Sequence, residues 1–149
     1  MKVYIASKLK HAGKFKVLRE QWCPEIDLHA RWFDQATIEL DGPELSPHDF
    51  HIFWLVDEED VRIADALILY AEPGDHVRGA LVETGIAIAL GKLVIVVGDH
   101  PDYGTWQHHP TVTRAVDMEH ARTMLLRRFH RGVPPKHSAV ALLEATVEE

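Results

Sequence analysis

The segment ALILYAEPGDHVRGALVETGIAIALGKLVIVV, residues 66–97, decides the fold of this chain. Its two apolar runs are too short for helices and read as buried strands. Between them lie a polar loop and a helical segment that opens after Gly79 and stops at Gly91. The segment therefore predicts a βαβ unit. Because ligands of an open parallel sheet bind beyond the carboxyl ends of its strands, we expect a binding site around the loop from Glu72 to Gly79.

Glu83 is the acidic residue of this predicted helix, and we expect it in the first turn. The free backbone N–H groups and the helix dipole at that position favour a carboxylate in its charged form. A charged carboxylate suits a nucleophile or a general base. An acid in the first turn is also ordinary helix design, so its position alone leaves its role open.

Composition limits the classes of function. The chain has 149 residues, of which 46% are hydrophobic, and this is enough for one domain with a buried core. Its net charge of −7 argues against a nucleic-acid partner, because phosphate contacts need a basic face. No apolar run is long enough to cross a membrane and no signal peptide precedes the first strand, so we expect a cytoplasmic protein.

Cysteine and histidine usage argues against a metal site. The single cysteine, Cys23, excludes an internal disulfide and a zinc site made of cysteines alone. The eleven histidines are scattered and lack the helical spacing of a zinc protease. We therefore expect neither a metal nor a cofactor.

The rest of the chain continues the alternation of strands and helices. Ser46-Pro-His-Asp49 is typical of a helix start, with a capping serine, a proline at the first helical position and an acid three residues after the cap. Five strands alternating with helices predict a three-layer α/β/α domain. The predicted segments outside residues 66–97 are strands at 2–6, 26–33 and 111–116, helices at 11–22, 46–63 and 118–129, and a loop at 34–45.

Two polar stretches are candidate ligand contacts. Ser7, Lys8 and Lys10 lie between the first strand and the first helix, which is the arrangement of a phosphate cradle. A solvated lysine-rich turn explains them as well, because no glycine-rich phosphate motif accompanies them. The loop 98–110 carries Trp106 and three histidines, and its rings can stack on a base, although an irregular surface loop has the same composition.

The acidic run and the end of the chain are further features. The acids of residues 57–60 crowd the last turns of a predicted helix, where they oppose its dipole. Gly132-Val-Pro-Pro135 reads as a hinge, and residues 137–147 read as a short helix that must dock on the body or on another subunit. We therefore divide the chain into a domain at 1–131 and a hinge with a docking helix at 132–149.

Three motifs occur in order: KVYIA at 2–6, DEEDVRIAD at 57–65 and GALVETGIAIALGK at 79–92. Together they resemble the nucleoside 2-deoxyribosyltransferase family, which includes deoxynucleoside 5′-monophosphate N-glycosidases. The resemblance extends over roughly residues 2–130. It implies a flavodoxin-like parallel sheet of five strands. It also implies a homodimer or a larger homo-oligomer in which a neighbour completes the site.

The resemblance also implies roles for individual residues. Glu83 falls on the nucleophile of the Glu-x-Gly-x-Ala motif, Asp57 on the acid that handles the proton of the base, and Tyr4 on the tyrosine that orients the nucleophile. Glu72 lies near a strand end where relatives carry an acid, which makes it a second candidate for sugar binding. Apart from the resemblance, Arg78 is a further candidate for a phosphate or sugar contact.

This chain departs from the family at three residues. Ser7-Lys8 stands where family members often have Gly-Pro, and Thr84 replaces the usual leucine. A Ser-Lys-x-Lys turn suits a 5′-phosphate and favours nucleotides over free nucleosides. The sequence thus predicts an enzyme that cleaves or exchanges the N-glycosidic bond of a small-molecule (deoxy)nucleoside or its 5′-monophosphate. A nucleotide-binding sensor domain and a nicotinamide dinucleotide glycohydrolase remain as alternatives.

Overall fold

Five parallel strands form a single sheet in this computed structural model. The structure describes residues 1–41 and 44–130, and for residues 37–41 it describes the backbone alone. The strand order is β2-β1-β3-β4-β5. The strands are β1 Lys2–Ala6, β2 Asp27–Leu28, β3 Ala66–Tyr70, β4 Leu93–Val97 and β5 Val112–Ala115. In register, Val3 of β1 lies beside Ala66 of β3, which lies beside Leu93 of β4. The predicted flavodoxin-like α/β/α architecture is confirmed.

Helices cover both faces of this sheet. They are α1 Ala12–Trp22, α2 Trp32–Asp41, α3 Pro47–Ile63, α4 Arg78–Ala89 and α5 Met118–His130, with short 3-10 turns at Leu9–His11 and Thr105–His108. In the sheet, β2 lies on one side of β1, whereas β4 lies on the opposite side of β3, so the two crossover connections run in opposite directions. Since both crossovers are right-handed, α1 and α4 lie on opposite faces. Helix α4 packs on α3 and on strands β1, β3 and β4.

The core lies on both sides of the central strands. All five residues of β4 are buried, as are four of the five in both β1 and β3. Strands that are covered on both faces need continuous apolar runs rather than alternating ones. This is why the runs at 66–70 and 93–97 were recognisable in the sequence.

The predicted strand at residues 26–33 and the predicted loop at 34–45 are largely wrong. Strand β2 has only two residues, and α2 begins at Trp32. The buried side chains of Trp32, Phe33 and Ala36 lie on one side of a helix, because their spacing fits its period rather than the alternation of a strand. The indole N–H of Trp32 donates to the carbonyl oxygen of Ile5 at 2.7 Å, which ties the start of α2 to β1.

Helix α3 begins and ends where the sequence predicted. The Asp49 backbone N–H donates to Ser46 Oγ at 3.2 Å, and Asp49 Oδ2 accepts from the Ser46 backbone N–H at 2.8 Å. Near the other end, arginines offset the acidic run. Glu58 pairs with Arg62 at 2.7 Å, and Glu59 pairs with Arg31 at 2.5 Å.

The central βαβ unit is confirmed with one correction. Helix α4 begins at Arg78 rather than after Gly79, so Glu83 lies in the second turn, and the first turn contains no acidic residue. No side chain caps the helix at Val77, which explains why the sequence did not mark its start. Gly91 follows the helix end with a φ of 68°, a left-handed conformation that favours glycine.

The last predicted elements of the domain, β5 and α5, are confirmed to within a residue at most ends. The predicted hinge and helix at residues 132–149 lie outside the described residues. Among residues 1–41 and 44–130, no helix is both long and apolar enough to span a membrane.

Candidate active site

A cavity of about 320 Å³ lies at the carboxyl end of β1, between α3 and α4. Its volume falls in the range of small-molecule sites, about 300–1,000 Å³. Carboxylate, aromatic and polar side chains line it. The carboxylates are Asp57 and Glu83, the aromatic side chains are Trp32, Phe50, Phe53 and Trp54, and the other polar side chains are Ser7, Lys8 and His76.

Tyr4 and Glu83 meet at the floor of this cavity. Tyr4 lies on β1 with no exposed surface, and Glu83 on α4 is 7% exposed. The Tyr4 hydroxyl donates a hydrogen bond of 2.8 Å to Glu83 Oε1. Because α4 crosses over β1, the second turn of the helix lies above the strand and brings the two side chains together.

Burial dominates the electrostatics of this pair. It raises the pKa of Glu83 well above the usual value, and the nearby Asp57 raises it further, while the hydrogen bond from Tyr4 acts in the opposite direction. Burial also raises the pKa of Tyr4, with added contributions from Glu83 and Asp57. The expectation that the helix N-terminus keeps Glu83 charged is therefore wrong, because Glu83 lies beyond the first turn and is desolvated.

Asp57 reaches the same cavity from α3. Its charge contributes to the raised pKa values of both Glu83 and Tyr4, so the three side chains are electrostatically coupled. The three residues that the sequence predicted as catalytic thus lie at one place, on β1, α3 and α4. The arrangement offers two carboxyl groups to a bound molecule, and the buried Tyr4 hydroxyl holds one of them from behind.

The predicted phosphate contacts separate into two groups. Ser7 and Lys8 line the cavity, and Ser7 Oγ donates to the carbonyl oxygen of Tyr70 at 2.8 Å. Lys10 does not line it, because its ammonium pairs with Asp75 Oδ1 at 2.5 Å. Lys10 therefore ties the loop after β1 to the loop before α4.

Asp75 is the centre of this connection and is fully buried. It accepts from the His11 imidazole at 2.7 Å and from the Glu72 backbone N–H at 2.9 Å. Burial alone would raise the pKa of Asp75, but the hydrogen bonds from Lys10, His11 and Glu72 outweigh it and lower the pKa. The Asp75 carboxylate therefore holds together the two loops that border the cavity.

The remaining predicted contacts lie at different places. Gly79 lines the cavity beside the Trp54 ring, where an added Cβ would lie 3.7 Å from the ring.

The other three predicted contacts lie outside the cavity. Glu72 accepts from the Tyr70 hydroxyl at 2.6 Å and borders a separate groove of about 610 Å³. Arg78 is exposed at the first residue of α4. Trp106 packs with its ring centroid 6.1 Å from that of Tyr103 and does not line the cavity.

Sequence reasoning did not assign the aromatic wall of the cavity to the site. Phe50, Phe53, Trp54 and Asp57 are spaced i, i+3, i+4 and i+7, so they share one face of α3. Such a spacing is typical of a helix face that packs on the core, but Phe50 is 47% exposed and Trp54 is 42% exposed. The presence of Asp57 on the same stripe was the available signal. For His76, the only signal in the sequence was its place in the loop before α4.

The histidines of loop 98–110 make local contacts. His100 is buried, and its Nδ1 accepts from the Asp102 backbone N–H at 3.1 Å. His109 Nδ1 lies 2.9 Å from Thr111 Oγ1. Within the described ranges, no group of three or more His, Cys, Asp or Glu side chains is arranged to hold a metal ion.

Comparison with known proteins gives similarity in structure but not in sequence. The sequence matches no protein-family model and no curated protein. Among solved structures, the chain is similar to the CMP N-glycosidase BcmB of Clostridium botulinum, with a TM-score of 0.50 and 14% sequence identity. The match covers 84% of this chain and 98% of the other. At this identity, the similarity shows that the two chains share a fold.

Proposed function

We propose that this protein cleaves or exchanges the N-glycosidic bond of a nucleoside or its 5′-monophosphate. The observation that carries the proposal is the buried hydrogen bond from Tyr4 to Glu83 in a cavity that Asp57 also lines. Enzymes that break glycosidic bonds through a covalent intermediate use two carboxyl groups, one as nucleophile and one as acid. Glu83 and Asp57 supply such a pair.

The proposed reaction has two steps. In the first, a Glu83 carboxylate oxygen attacks C1′ of the sugar, and the electron pair of the C1′–N bond leaves with the base as Asp57 protonates it. In the second, water attacks C1′ and gives its proton to Asp57, and the ester bond to Glu83 breaks. A second base in place of water gives exchange instead of hydrolysis.

The charge distribution of the site suits this reaction. A raised pKa means that the protein alone does not stabilise the Glu83 carboxylate strongly. The sugar develops positive charge in the transition state, so the carboxylate gains its counter-charge at that point. Interactions that strengthen in the transition state are the ones that accelerate a reaction. The Tyr4 hydroxyl orients the carboxylate throughout.

The cavity walls favour a mononucleotide. The aromatic side chains of Trp32, Phe53 and Trp54 line the space where a base can stack, and the Lys8 ammonium can bind a 5′-phosphate beside Ser7, whose hydroxyl donates to Tyr70. A volume of about 320 Å³ suits one nucleotide better than a nicotinamide dinucleotide. The structural neighbour is named for its action on CMP, itself a nucleoside monophosphate, which is consistent with this choice.

We also propose that the protein is a homodimer or a larger homo-oligomer. Phe50 and Trp54 stand at the edge of the cavity and are only about half buried. A second copy that covers them would close the cavity around the bound substrate and strengthen the electrostatic interactions inside it.

The test is release of free base from a panel of nucleosides and their 5′-monophosphates, with and without a second free base. The products are separated by chromatography, and Glu83→Gln is the matched control because it keeps the shape and loses the carboxylate. We expect wild type to release base and Glu83→Gln to release none. After acid quenching, the mass of the intact wild type should show the glycosyl ester.

Other outcomes identify the alternatives. Release of nicotinamide from a dinucleotide with none from mononucleotides would replace the proposal by a dinucleotide glycohydrolase. Tight binding of a nucleotide with no product from any substrate would replace it by a sensor domain. Equal base release by wild type and Glu83→Gln would exclude Glu83 as the nucleophile.

A further inference from the structure

Asp60 is a fully buried carboxylate that the proposed reaction does not use. Its Oδ2 accepts from the Arg31 backbone N–H at 2.8 Å, and its Oδ1 accepts from Arg31 Nε at 2.8 Å. Arg31 Nη2 lies 2.7 Å from Asp60 Oδ1, and His29 Nε2 lies 3.3 Å from the same oxygen. Both oxygens of one carboxylate are thus engaged by the segment that joins β2 to α2.

This contact joins two walls of the cavity. On α3, Asp60 lies three residues after Asp57, so a shift of that turn moves both side chains. On the other side, Arg31 directly precedes Trp32, which lines the cavity and donates its indole N–H to Ile5, the neighbour of Tyr4 on β1. The Arg31 guanidinium binds Oδ1 through two nitrogens and the Arg31 backbone N–H binds Oδ2, so the contact fixes the orientation of the carboxylate as well as its distance.

We propose that Arg31 and Asp60 are positioning residues for the proposed reaction: their contact holds Asp57 and Trp32 in place on opposite sides of the substrate. The inference rests on the proposed function. Neither residue lines the cavity, so both act through their neighbours. A displacement of about 1 Å at a reacting group lowers the rate about 100-fold, which is the scale of effect that such a contact controls.

The pair also limits the negative charge beneath the site. Asp60 contributes to the raised pKa of Tyr4, together with Glu83 and Asp57. The groups in contact with Asp60 are the Arg31 guanidinium and the His29 imidazole from the β2–α2 segment, and Glu59 beside Asp60 on α3 also binds Arg31. Loss of the Arg31 guanidinium would leave the Asp60 charge less compensated near Tyr4, which is the hydrogen-bond partner of Glu83. The extra negative charge would make Glu83 harder to ionise.

The test compares Arg31→Met with Arg62→Met. Arg62 is the matched control because it lies on α3, the helix of Asp60, and forms an exposed ion pair with Glu58. We expect Arg31→Met to lower kcat about 10-fold to 100-fold with a much smaller change in KM, since the contact positions a reacting group rather than binding substrate. Arg62→Met should keep the wild-type kcat. Arg31→Lys should restore part of kcat, because lysine keeps the charge but has a single nitrogen to reach Asp60 Oδ1 in place of two.

A second readout does not depend on activity. The carboxyl carbon of Glu83, assigned by its absence in Glu83→Gln, is titrated by NMR. We expect its midpoint to move to higher pH in Arg31→Met and to stay at the wild-type value in Arg62→Met. If the pair only supports the fold, Arg31→Met should have a lower Tm than wild type and an unchanged Glu83 titration midpoint.

The outcomes separate this inference from the proposed function. If wild type is active and Arg31→Met matches Arg62→Met in both kcat and the Glu83 midpoint, the positioning role is wrong. If no substrate yields free base, the proposed function fails, and the Glu83 midpoint alone decides whether the pair controls the site. Should Arg31→Met fail to fold, Arg31→Lys takes its place, and an unchanged kcat in that variant would overturn the inference.

Discussion

The hydroxyl of Tyr4 donates a 2.8 Å hydrogen bond to Glu83, a residue 79 positions further along the chain. The bond is buried and engages Oε1 of the carboxyl group, so the other oxygen is the one that we expect to attack the sugar. Of the influences on the Glu83 pKa, the Tyr4 hydroxyl is the one that favours the charged form. It therefore opposes the effects of burial and of Asp57.

Tyr4→Phe removes this donor and keeps the ring. A hydrogen bond to a charged group contributes about 1.5–3 kcal/mol, so we expect kcat/KM to fall about 10-fold to 100-fold. Base release under subsaturating substrate measures the change. Tyr103→Phe is the control, because its ring is also buried and its hydroxyl bonds the carbonyl oxygen of Val97 away from the cavity. A Tyr4→Phe variant as active as wild type would contradict the orienting role.

The pH dependence of kcat/KM follows from the raised pKa of Glu83, which burial and the charge of Asp57 cause. A nucleophile must be ionised, so activity is lost as pH falls through the folded-state pKa. Because that pKa lies well above the usual value of 4.5, we expect the acid limb clearly above it. A pH profile of kcat/KM reports the groups of the free enzyme. An acid limb at or below 4.5 would show that Glu83 ionises as an ordinary carboxyl group.

Much of the fold was predictable because its signals are local. The buried runs of β3 and β4, the Ser46–Asp49 cap and the glycine after α4 each depend on a few neighbouring residues. Helix α2 was missed because Trp32-Phe33 continues the apolar character of β2, and only packing against Ile5 shows a helix face there.

The site was predictable only in part. Glu83, Asp57 and Tyr4 were found through motifs, and their meeting depends on how α3 and α4 pack over β1. The raised pKa of Glu83 was not predictable, because burial and the approach of Asp57 arise from packing between distant segments. The Lys10 pairing was missed for the same reason, since its partner Asp75 lies in another loop.

Glu83→Gln should stabilise the protein at neutral pH. The folded-state pKa of Glu83 is raised, so its contribution to stability is fully present below the unfolded-state pKa and is lost as pH rises through the folded-state pKa. The glutamine amide of Glu83→Gln does not ionise, so the variant keeps the stability that wild type loses at this pH. We expect a gain on the order of 1 kcal/mol, which corresponds to about 2–6 °C in Tm.

Thermal denaturation at several pH values checks this result. The gain should be largest above the folded-state pKa and should shrink as pH falls toward 4, where Glu83 is protonated in the folded state. Glu20→Gln on the exposed surface of α1 is the control. A variant that is less stable than wild type at neutral pH would show that the carboxylate stabilises the fold.

Four large apolar side chains in one stretch of α3 are substantially exposed: Phe50, Ile52, Trp54 and Leu55, at 42–51%. Ile52 and Leu55 line one groove along this helix, and an exposed apolar patch on a protein surface marks an interaction site. We expect a second copy of this chain to cover it. Leu55→Lys places a charge in the patch and should shift the protein toward the monomer, which sedimentation velocity measures at several concentrations. Val17→Lys on α1 is the matched control, since Val17 is 57% exposed. A wild type that is monomeric at all concentrations, or a Leu55→Lys variant that assembles like wild type, would show that this face of α3 does not hold the oligomer together.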